Sequence, residues 1–280
     1  MRLGHPVQAG TDDPEELAKR HRALGLRAAF CPSIAGGDKD RTLAVRRAFE
    51  RHDVMIAEVG VWNNLMDADP AKRGENVEAM KAGLALADEV GAQCVVNIAG
   101  SLNPGRWDGP HAANLSPRAF ELAVANAREI IDAVNPTRAK LTYEMMPFCL
   151  PDSPDAYLEL IREIDRAAFA VHLDVVNIVN SPRRYFDNAA LIRECFEKLG
   201  PHIVSCHLKD VQLEDGLTVH LSESVVGEGG LDIGAYLTQV ARLAPSPPVL
   251  LEHLERPEDY DRARQYVFGL GRELGIDFES

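Results

Sequence analysis

The sequence predicts a single (β/α)8 TIM barrel, one domain running through all 280 residues. Three observations carry that expectation. Short apolar runs alternate with longer amphipathic segments eight times along the chain. The runs are apolar along most of their length instead of alternating, as strands buried on both faces are. Most of them end in polar side chains just before a loop, where parallel α/β folds keep their ligands. A doubly wound nucleotide-binding sheet would want a glycine fingerprint after its first strand, and Gly4-His5-Pro6 is not one.

Each element has its own justification. Residues 3–8 form the first run, and Thr11-Asp12-Asp13-Pro14-Glu15 opens a helix with cap residues, an early proline and acids matched to the helix dipole. Gly25 closes that helix, and residues 27–33 give the second strand. A helix over 38–52 leads to a third strand over 54–62, ending at Asn63-Asn64. The next helix spans 70–90 and stops at Gly91. Residues 94–100 are the fourth strand, followed by a loop over 101–114 rich in Asn, Pro and Gly, long enough to cover a site. Ser116-Pro117 starts a helix to about Val134, and residues 139–146 make the fifth strand. A helix from Ser153-Pro154 to Arg166 precedes the sixth strand, 169–175. A loop over 180–188 and a helix to Leu199 lead to the seventh, Ile203-Val204-Ser205-Cys206-His207-Leu208, which is β-branched at its start and polar at its tip. Residues 226–230 are a glycine-rich turn before a helix over 232–243, the eighth strand is 249–254, and the last helix runs from Pro257 to about Leu274.

Composition narrows the function. The apolar fraction of 46% is ample for a core. No apolar run is long enough to cross a bilayer, and the N-terminus lacks the apolar stretch of a signal peptide, so the cytoplasm is expected. Five cysteines without a CxxC pair argue for free thiols that pack as small hydrophobes. A net charge of −13 with dispersed Lys and Arg disfavours nucleic acid and favours small-molecule chemistry.

Four successive strand ends carry metal-capable side chains: Glu144, Asp174, His207 and Glu252. In a closed barrel these ends are neighbours and their side chains converge. Three carboxylates and an imidazole form a hard, oxygen-rich set suited to Mn²⁺ first, then Mg²⁺ or Co²⁺, and less often Zn²⁺. Crowding the three acids with no cation would cost, by rough estimate, several kcal/mol. Weaker candidates line the other tips. Trp62 and Asn63 end the third strand, Asn97 ends the fourth, and all three are candidate substrate contacts. His172 shares a face with Asp174 and either orients a ligand or is buried structurally. His5 and Cys31 are candidates for the far wall, and Arg183 and Arg184 would meet a substrate phosphate or carboxylate if they are not simply solvated.

The segments Leu141-Thr-Tyr-Glu144, His172-Leu-Asp174, His207-Leu-Lys-Asp210, Val226-Gly-Glu-Gly-Gly-Leu-Asp232 and Leu250-Leu-Glu252-His253, taken in order, resemble the sugar-phosphate isomerase/epimerase superfamily of xylose isomerase-like barrels over nearly the whole chain. That resemblance implies a Glu-Asp-His-Glu metal site at Glu144, Asp174, His207 and Glu252, with Glu144 and Glu252 as the acid/base pair. It implies that Lys209 stabilises a developing oxyanion, and that barrels of this kind associate into homo-oligomers. It implies a metal-dependent isomerase or epimerase of a sugar or keto-polyol, working through an enediolate stabilised by the ion. One departure stands out. Many relatives carry a histidine three residues after the sixth-strand aspartate, where this chain has Asn177, able to hydrogen-bond substrate but not to shuttle a proton.

Three competing readings follow. A lyase on the same architecture would use the enediolate to expel a β-substituent, giving dehydration as in inosose dehydratases or cleavage of a keto-sugar glycoside. A DNA-repair enzyme like the type IV apurinic endonucleases would need extra histidines at the third and fourth tips and at position 177; this chain offers Trp62, Asn63, Asn97 and Asn177. A metal-free binding barrel would be indifferent to chelation.

Overall fold

Short strands buried on both faces build a parallel barrel. The computed structural model describes residues 1–8 and 10–278. Its strands are β1 (Leu3–Gly4), β2 (Ala28–Phe30), β3 (Met55–Gly60), β4 (Cys94–Asn97), β5 (Lys140–Glu144), β6 (Phe169–Leu173), β7 (Ile203–Leu208), β8 (Asp210–Leu213), β9 (Leu221–Ser224) and β10 (Val249–Leu251). Eight of them form one sheet in the order β1-β10-β7-β6-β5-β4-β3-β2, every pairing parallel, while β8 and β9 make a separate antiparallel hairpin. β1 and β2 meet across the remaining gap, where the Arg27 amide donates to the Leu3 carbonyl at 3.0 Å. Gly4 is needed there, because a Cβ would run into the Ala28 carbonyl and the Leu250 side chain.

The helices are α1 (Pro14–Ala23), α2 (Lys39–Arg51), α3 (Pro70–Val90), α4 (Pro117–Val134), α5 (Pro154–Ile164), α6 (Pro182–Phe186), α7 (Asn188–Leu199), α8 (Ile233–Arg242) and α9 (Pro257–Glu273). Their starts follow the expected chemistry. Asp13, Asp38, Asp69, Ser116, Ser153 and Asp232 each accept a backbone N–H of the first turn, and proline opens α1, α3, α4 and α5. Gly91 ends α3 at φ 83°, a left-handed cap. None of these helices is long and apolar enough to cross a membrane.

The main core lies between strands and helices, with Leu3, Val95, Leu141, Tyr143, Val171, Leu173, Cys206, Leu208, Val249 and Leu251 facing outward onto helical residues such as Leu84, Ile130, Leu160 and Val240. Ala28, Ala57 and Leu250, with Phe30, fill the barrel axis. Two buried tyrosines pin the strands that carry chemistry. The Tyr157 hydroxyl lies 2.6 Å from the Tyr143 carbonyl and 3.0 Å from the Ala170 carbonyl, bridging β5 and β6. The Tyr236 hydroxyl donates to the His207 carbonyl at 2.8 Å, tying α8 to β7.

Three details differ from the sequence-based expectation. Barrel strands are shorter than the apolar runs: the first ends at Gly4 and the second at Phe30, because the chain leaves the sheet to form the mouth. The segment expected as a loop over 180–188 contains the short helix α6. The β8–β9 hairpin was not anticipated, although alternating residues on either side of Asp215-Gly216 are its signal.

Candidate functional site

The ends of β5, β6, β7 and β10 are consecutive around the barrel, and their registers align Glu144 with His172 and Leu250 with His207. Because outward-facing residues alternate with axial ones, Glu144, Asp174, His207, Lys209 and Glu252 all turn toward the axis. One donor atom from each of Glu144, Asp174, His207 and Glu252 lies within 4.8 Å of the others. His207 Nδ1 is the hub, 2.9 Å from Glu252 Oε1, 3.2 Å from Glu144 Oε1 and 4.0 Å from Asp174 Oδ2. Lys209 Nζ sits 2.8 Å from Asp174 Oδ2, 3.0 Å from Glu252 Oε1 and 3.3 Å from Glu223 Oε1. All five groups are buried.

This crowding sets the charge states. Burial alone would strip the proton from His207, but Glu252, Glu58 and Glu144 hold its pKa well above the ordinary value. Burial likewise works against the Lys209 ammonium, and Asp174, Glu252, Glu144 and Glu223 overcome it. Glu252 is driven well below the usual carboxylate range: desolvation opposes its ionisation, while His207 and Lys209 win. Asp174 goes the other way, pushed up to about 7 by complete burial and by Glu144 and Glu252, against Lys209. Asp174 Oδ2 and Glu252 Oε1 are sealed from solvent and accept no well-directed hydrogen bond, although cations stand within ion-pair range. Buried carboxylate oxygens with unfilled lone pairs, three acids and one imidazole fit a hard divalent cation.

Asn177 completes this layer from a 3₁₀ turn, Val176–Ile178. Its amide donates to the Met145 carbonyl at 2.9 Å and to Glu144 Oε1 at 3.3 Å, and its oxygen accepts from Lys209 Nζ at 2.9 Å. It therefore orients the lysine relative to the glutamate. A cavity of about 320 Å³, lined by Pro147, Asn177, Asn180, Leu221 and Glu223 among others, includes two partners of Lys209, Asn177 and Glu223, but none of the four converging donors. A larger cleft of about 500 Å³ lies between α2 and α3 and includes none of the converging residues.

Other sequence candidates land elsewhere. Asn97 is fully buried and faces α3: it hydrogen-bonds Asn63 Oδ1 at 2.8 Å, its own neighbour Ile98 N at 2.8 Å, and Met80 Sδ at 3.9 Å. Asn63 in turn donates to the Asn76 carbonyl at 3.0 Å. Of the two expected substrate contacts, Asn97 is turned away from the axis by alternation along β4, and together with Asn63 it ties the loop after β3 to α3. Trp62 is half exposed and packs against Gly60 at the rim, apart from the four converging donors. His172 lies on the axis below His207, ring centroids 4.1 Å apart and edge-on, so it touches the site through the imidazole rather than from the mouth. Its complete burial and the nearby His207 keep it neutral. His5 stacks on Tyr260 and bonds the Pro6 carbonyl. Arg184 donates to the Ile178 carbonyl and braces a loop. The glycine-rich turn closes on Asp210, which accepts from Gly227, Gly229 and Leu231 amides at 2.9–3.0 Å; a Cβ at Gly229 would collide with that carboxylate.

Three residues of the site were not anticipated. Glu58, on β3, is a carboxylate with 1% exposure in the barrel interior, touching His207 Nε2. Its sequence signal is a lone acid inside Ile56-Ala57-Glu58-Val59. Glu223, on the hairpin, bridges Lys209 and His253. His253, at the mouth, has φ 58°, a left-handed conformation that few non-glycine residues adopt.

A model of the xylose isomerase-like TIM barrel family matches residues 6–268. No curated protein matches by sequence. Among solved structures, endonuclease IV from Thermus thermophilus superposes with a TM-score of 0.72 at 16% identity, covering 98% of this chain and 100% of that one. D-psicose 3-epimerase from Clostridium cellulolyticum, solved with D-tagatose, gives 0.69 at 13% identity over 99% and 100%. A probable 3-DHS dehydratase from Bacillus anthracis gives 0.69 at 14% identity over 95% and 98%. At these identities the likeness shows the fold alone, and three different chemistries share it.

Proposed function

The chain belongs to the xylose isomerase-like TIM barrel family, and we propose that it is a divalent-metal-dependent isomerase or epimerase of a sugar or keto-polyol. The observation that carries this reading is the meeting of Glu144, Asp174, His207 and Glu252 within 4.8 Å at neighbouring strand ends. These four would hold the ion, Mn²⁺ first and Mg²⁺, Co²⁺ or Zn²⁺ as substitutes. When bound, a divalent ion there stabilises the oxyanion charge that appears when a carbon-bound proton leaves an α-hydroxy ketone.

The chain's own residues supply the rest. Glu144 and Glu252 come from β5 and β10, the outer two of the four neighbouring strand ends, so they can present carboxylates to two faces of a substrate carbon and act as the base and acid. Lys209, kept protonated by Asp174 and Glu252, donates to the developing oxyanion. Asn177 keeps that ammonium in place, and it cannot itself exchange a proton. The cavity lined by Asn177 and Glu223, both partners of Lys209, has the volume for a small carbohydrate.

A second reading, a lyase, is favoured by Lys209 itself. Isomerisation expels no group, whereas a buried ammonium can protonate a departing β-hydroxyl or glycosidic oxygen. Proton NMR of keto-sugars in D₂O with the Mn²⁺-loaded enzyme separates the two. Deuterium entering an otherwise intact sugar supports isomerisation; an unsaturated or shortened product supports elimination. If Glu144→Gln and Glu252→Gln variants retain full exchange, the acid/base assignment is wrong.

A further inference from the structure

Beneath the converging donors lies a buried polar layer that the proposed chemistry does not use. Glu58 reaches across the barrel from β3, two strands away from β5 in the sheet. Its Oε1 lies 3.2 Å from His207 Nε2, while its Oε2 accepts from Ser205 Oγ at 3.3 Å and stands 3.4 Å from His172 Nδ1. The opposite ring nitrogen of His207, Nδ1, faces Glu144 and Glu252 at 3.2 and 2.9 Å. The imidazole is also boxed in sterically. His172 meets it edge-on at 4.1 Å between ring centroids, Phe30 flanks it at 6.0 Å, and Tyr236 ties its backbone carbonyl.

We propose that Glu58 is a positioning residue for His207: it accepts the Nε2–H at 3.2 Å, and so fixes the ring angle that aims Nδ1 at the space shared by Glu144, Asp174 and Glu252, where a cation would take it as a ligand. A neutral imidazole carries one N–H, on one nitrogen or the other. Without an acceptor at Nε2, the proton would favour Nδ1, where three carboxylates surround it, and that nitrogen would be lost as a ligand. With Glu58 present both ring nitrogens face acceptors, and a cation arriving at Nδ1 would displace the proton there and leave the Nε2–H on Glu58. Carboxylates behind metal-binding imidazoles raise ligand basicity by this same hydrogen bond. Ser205 then holds Glu58 itself by its hydroxyl, with the His172 ring standing beside it, and Glu58 is 1% exposed. This inference rests on the divalent-ion reading above and concerns the chain's own residues toward that ion.

The test uses Mn²⁺ alone, with no substrate. Free Mn²⁺ is titrated by electron paramagnetic resonance against the wild-type protein, Glu58→Gln, Glu58→Ala and Ser205→Ala. Removing the acceptor in Glu58→Ala is expected to weaken Mn²⁺ binding on the order of 10–100-fold. Glu58→Gln, which keeps a carbonyl acceptor of the same shape, should recover part of that loss, and Ser205→Ala should lose less than either. In Zn²⁺-loaded protein labelled with ¹⁵N-histidine, His207 should carry its proton on Nε2 in the wild type and show a weakened Nε2–H hydrogen bond in Glu58→Ala. The proposal is overturned if both Glu58 variants bind Mn²⁺ as the wild type does, even when their metal-free melting temperatures fall; that result would mark Glu58 as core packing only. Two ions per wild-type chain, with one abolished by Cys94→Ala, would also overturn it, since Glu58, Cys94 and His172 would then be ligands themselves. A wild-type protein that binds none of the divalent ions refutes the functional reading and this inference together, and is distinct from the first two outcomes.

Discussion

Lys209 offers the sharpest perturbation of the site. Its ammonium is 2% exposed and lies within 3.0 Å of two carboxylates that are themselves buried, those of Asp174 and Glu252, and it donates to Asn177 at 2.9 Å. The third partner, Glu223 at 3.3 Å, is 43% exposed on its side chain and contributes little. Lys209→Met keeps most of the volume and removes the charge. In the metal-free protein it strands two buried carboxylates, which costs about 3–5 kcal/mol by comparison with broken buried ion pairs. For a chain of this size that corresponds to a fall in melting temperature of roughly 6–15 °C. Adding saturating Mn²⁺ supplies the missing positive charge, so the deficit measured in EDTA should shrink by more than half. The variant should also bind Mn²⁺ more tightly than the wild type, because one cation no longer repels the other, while turnover falls for want of the oxyanion donor. Urea unfolding in EDTA and in Mn²⁺, run on both proteins, gives the comparison. Equal stability of Lys209→Met and wild type in EDTA would refute the reasoning, since the carboxylates would then need no ammonium. A deficit unchanged by Mn²⁺ would show that the ion and the lysine do not serve the same charges.

Two further expectations concern the scaffold. Asp88, near the end of α3, accepts from the backbone amides of Thr137, Arg138 and Ala139 at 2.6–3.1 Å and from the Thr137 hydroxyl at 3.0 Å, fixing the approach to β5. Partial burial opposes its ionisation, but these donors hold its pKa below the ordinary 3.8, so its stabilisation is present above about that pH and is lost as the pH falls through the folded-state value. Asp88→Asn should therefore cost about 1.5–3 kcal/mol at pH 7, with the difference from wild type narrowing below pH 4 in urea unfolding; a gap that widens in acid would contradict this. Asn97→Ala should destabilise by about 1–3 kcal/mol through its lost buried hydrogen bonds while leaving KM for any substrate unchanged, and a raised KM with normal stability would restore Asn97 to the binding site.

Much of the architecture was written locally. Helix starts at Asp13-Pro14, Asp69-Pro70, Ser116-Pro117 and Ser153-Pro154 are legible because a cap acts within three residues of itself. Glu144, Asp174, His207 and Glu252 could be picked out for a related reason: each ends or just follows an apolar run, and parallel strand ends gather at one mouth whatever the details of packing. Asn97 looked similar and was misread, because an end residue points to the axis or away from it by a step of one, and the strand's phase is set by its partners. Glu58 shows the same limit from the other side. Its position within β3 is plain in the sequence, but a register shift beside Ala29 and Phe30 decides that its carboxylate enters the barrel and meets His207. The sequence by itself therefore determined the eight-unit plan and which acids and histidine stand at strand ends, since those depend on short-range periodicity and capping. Only the tertiary structure decided that Lys209 neutralises Asp174 and Glu252, that Asn177 bridges it to Glu144, and that Glu58 lies behind His207. Those contacts join residues 32 to 149 positions apart, at separations that no local pattern encodes.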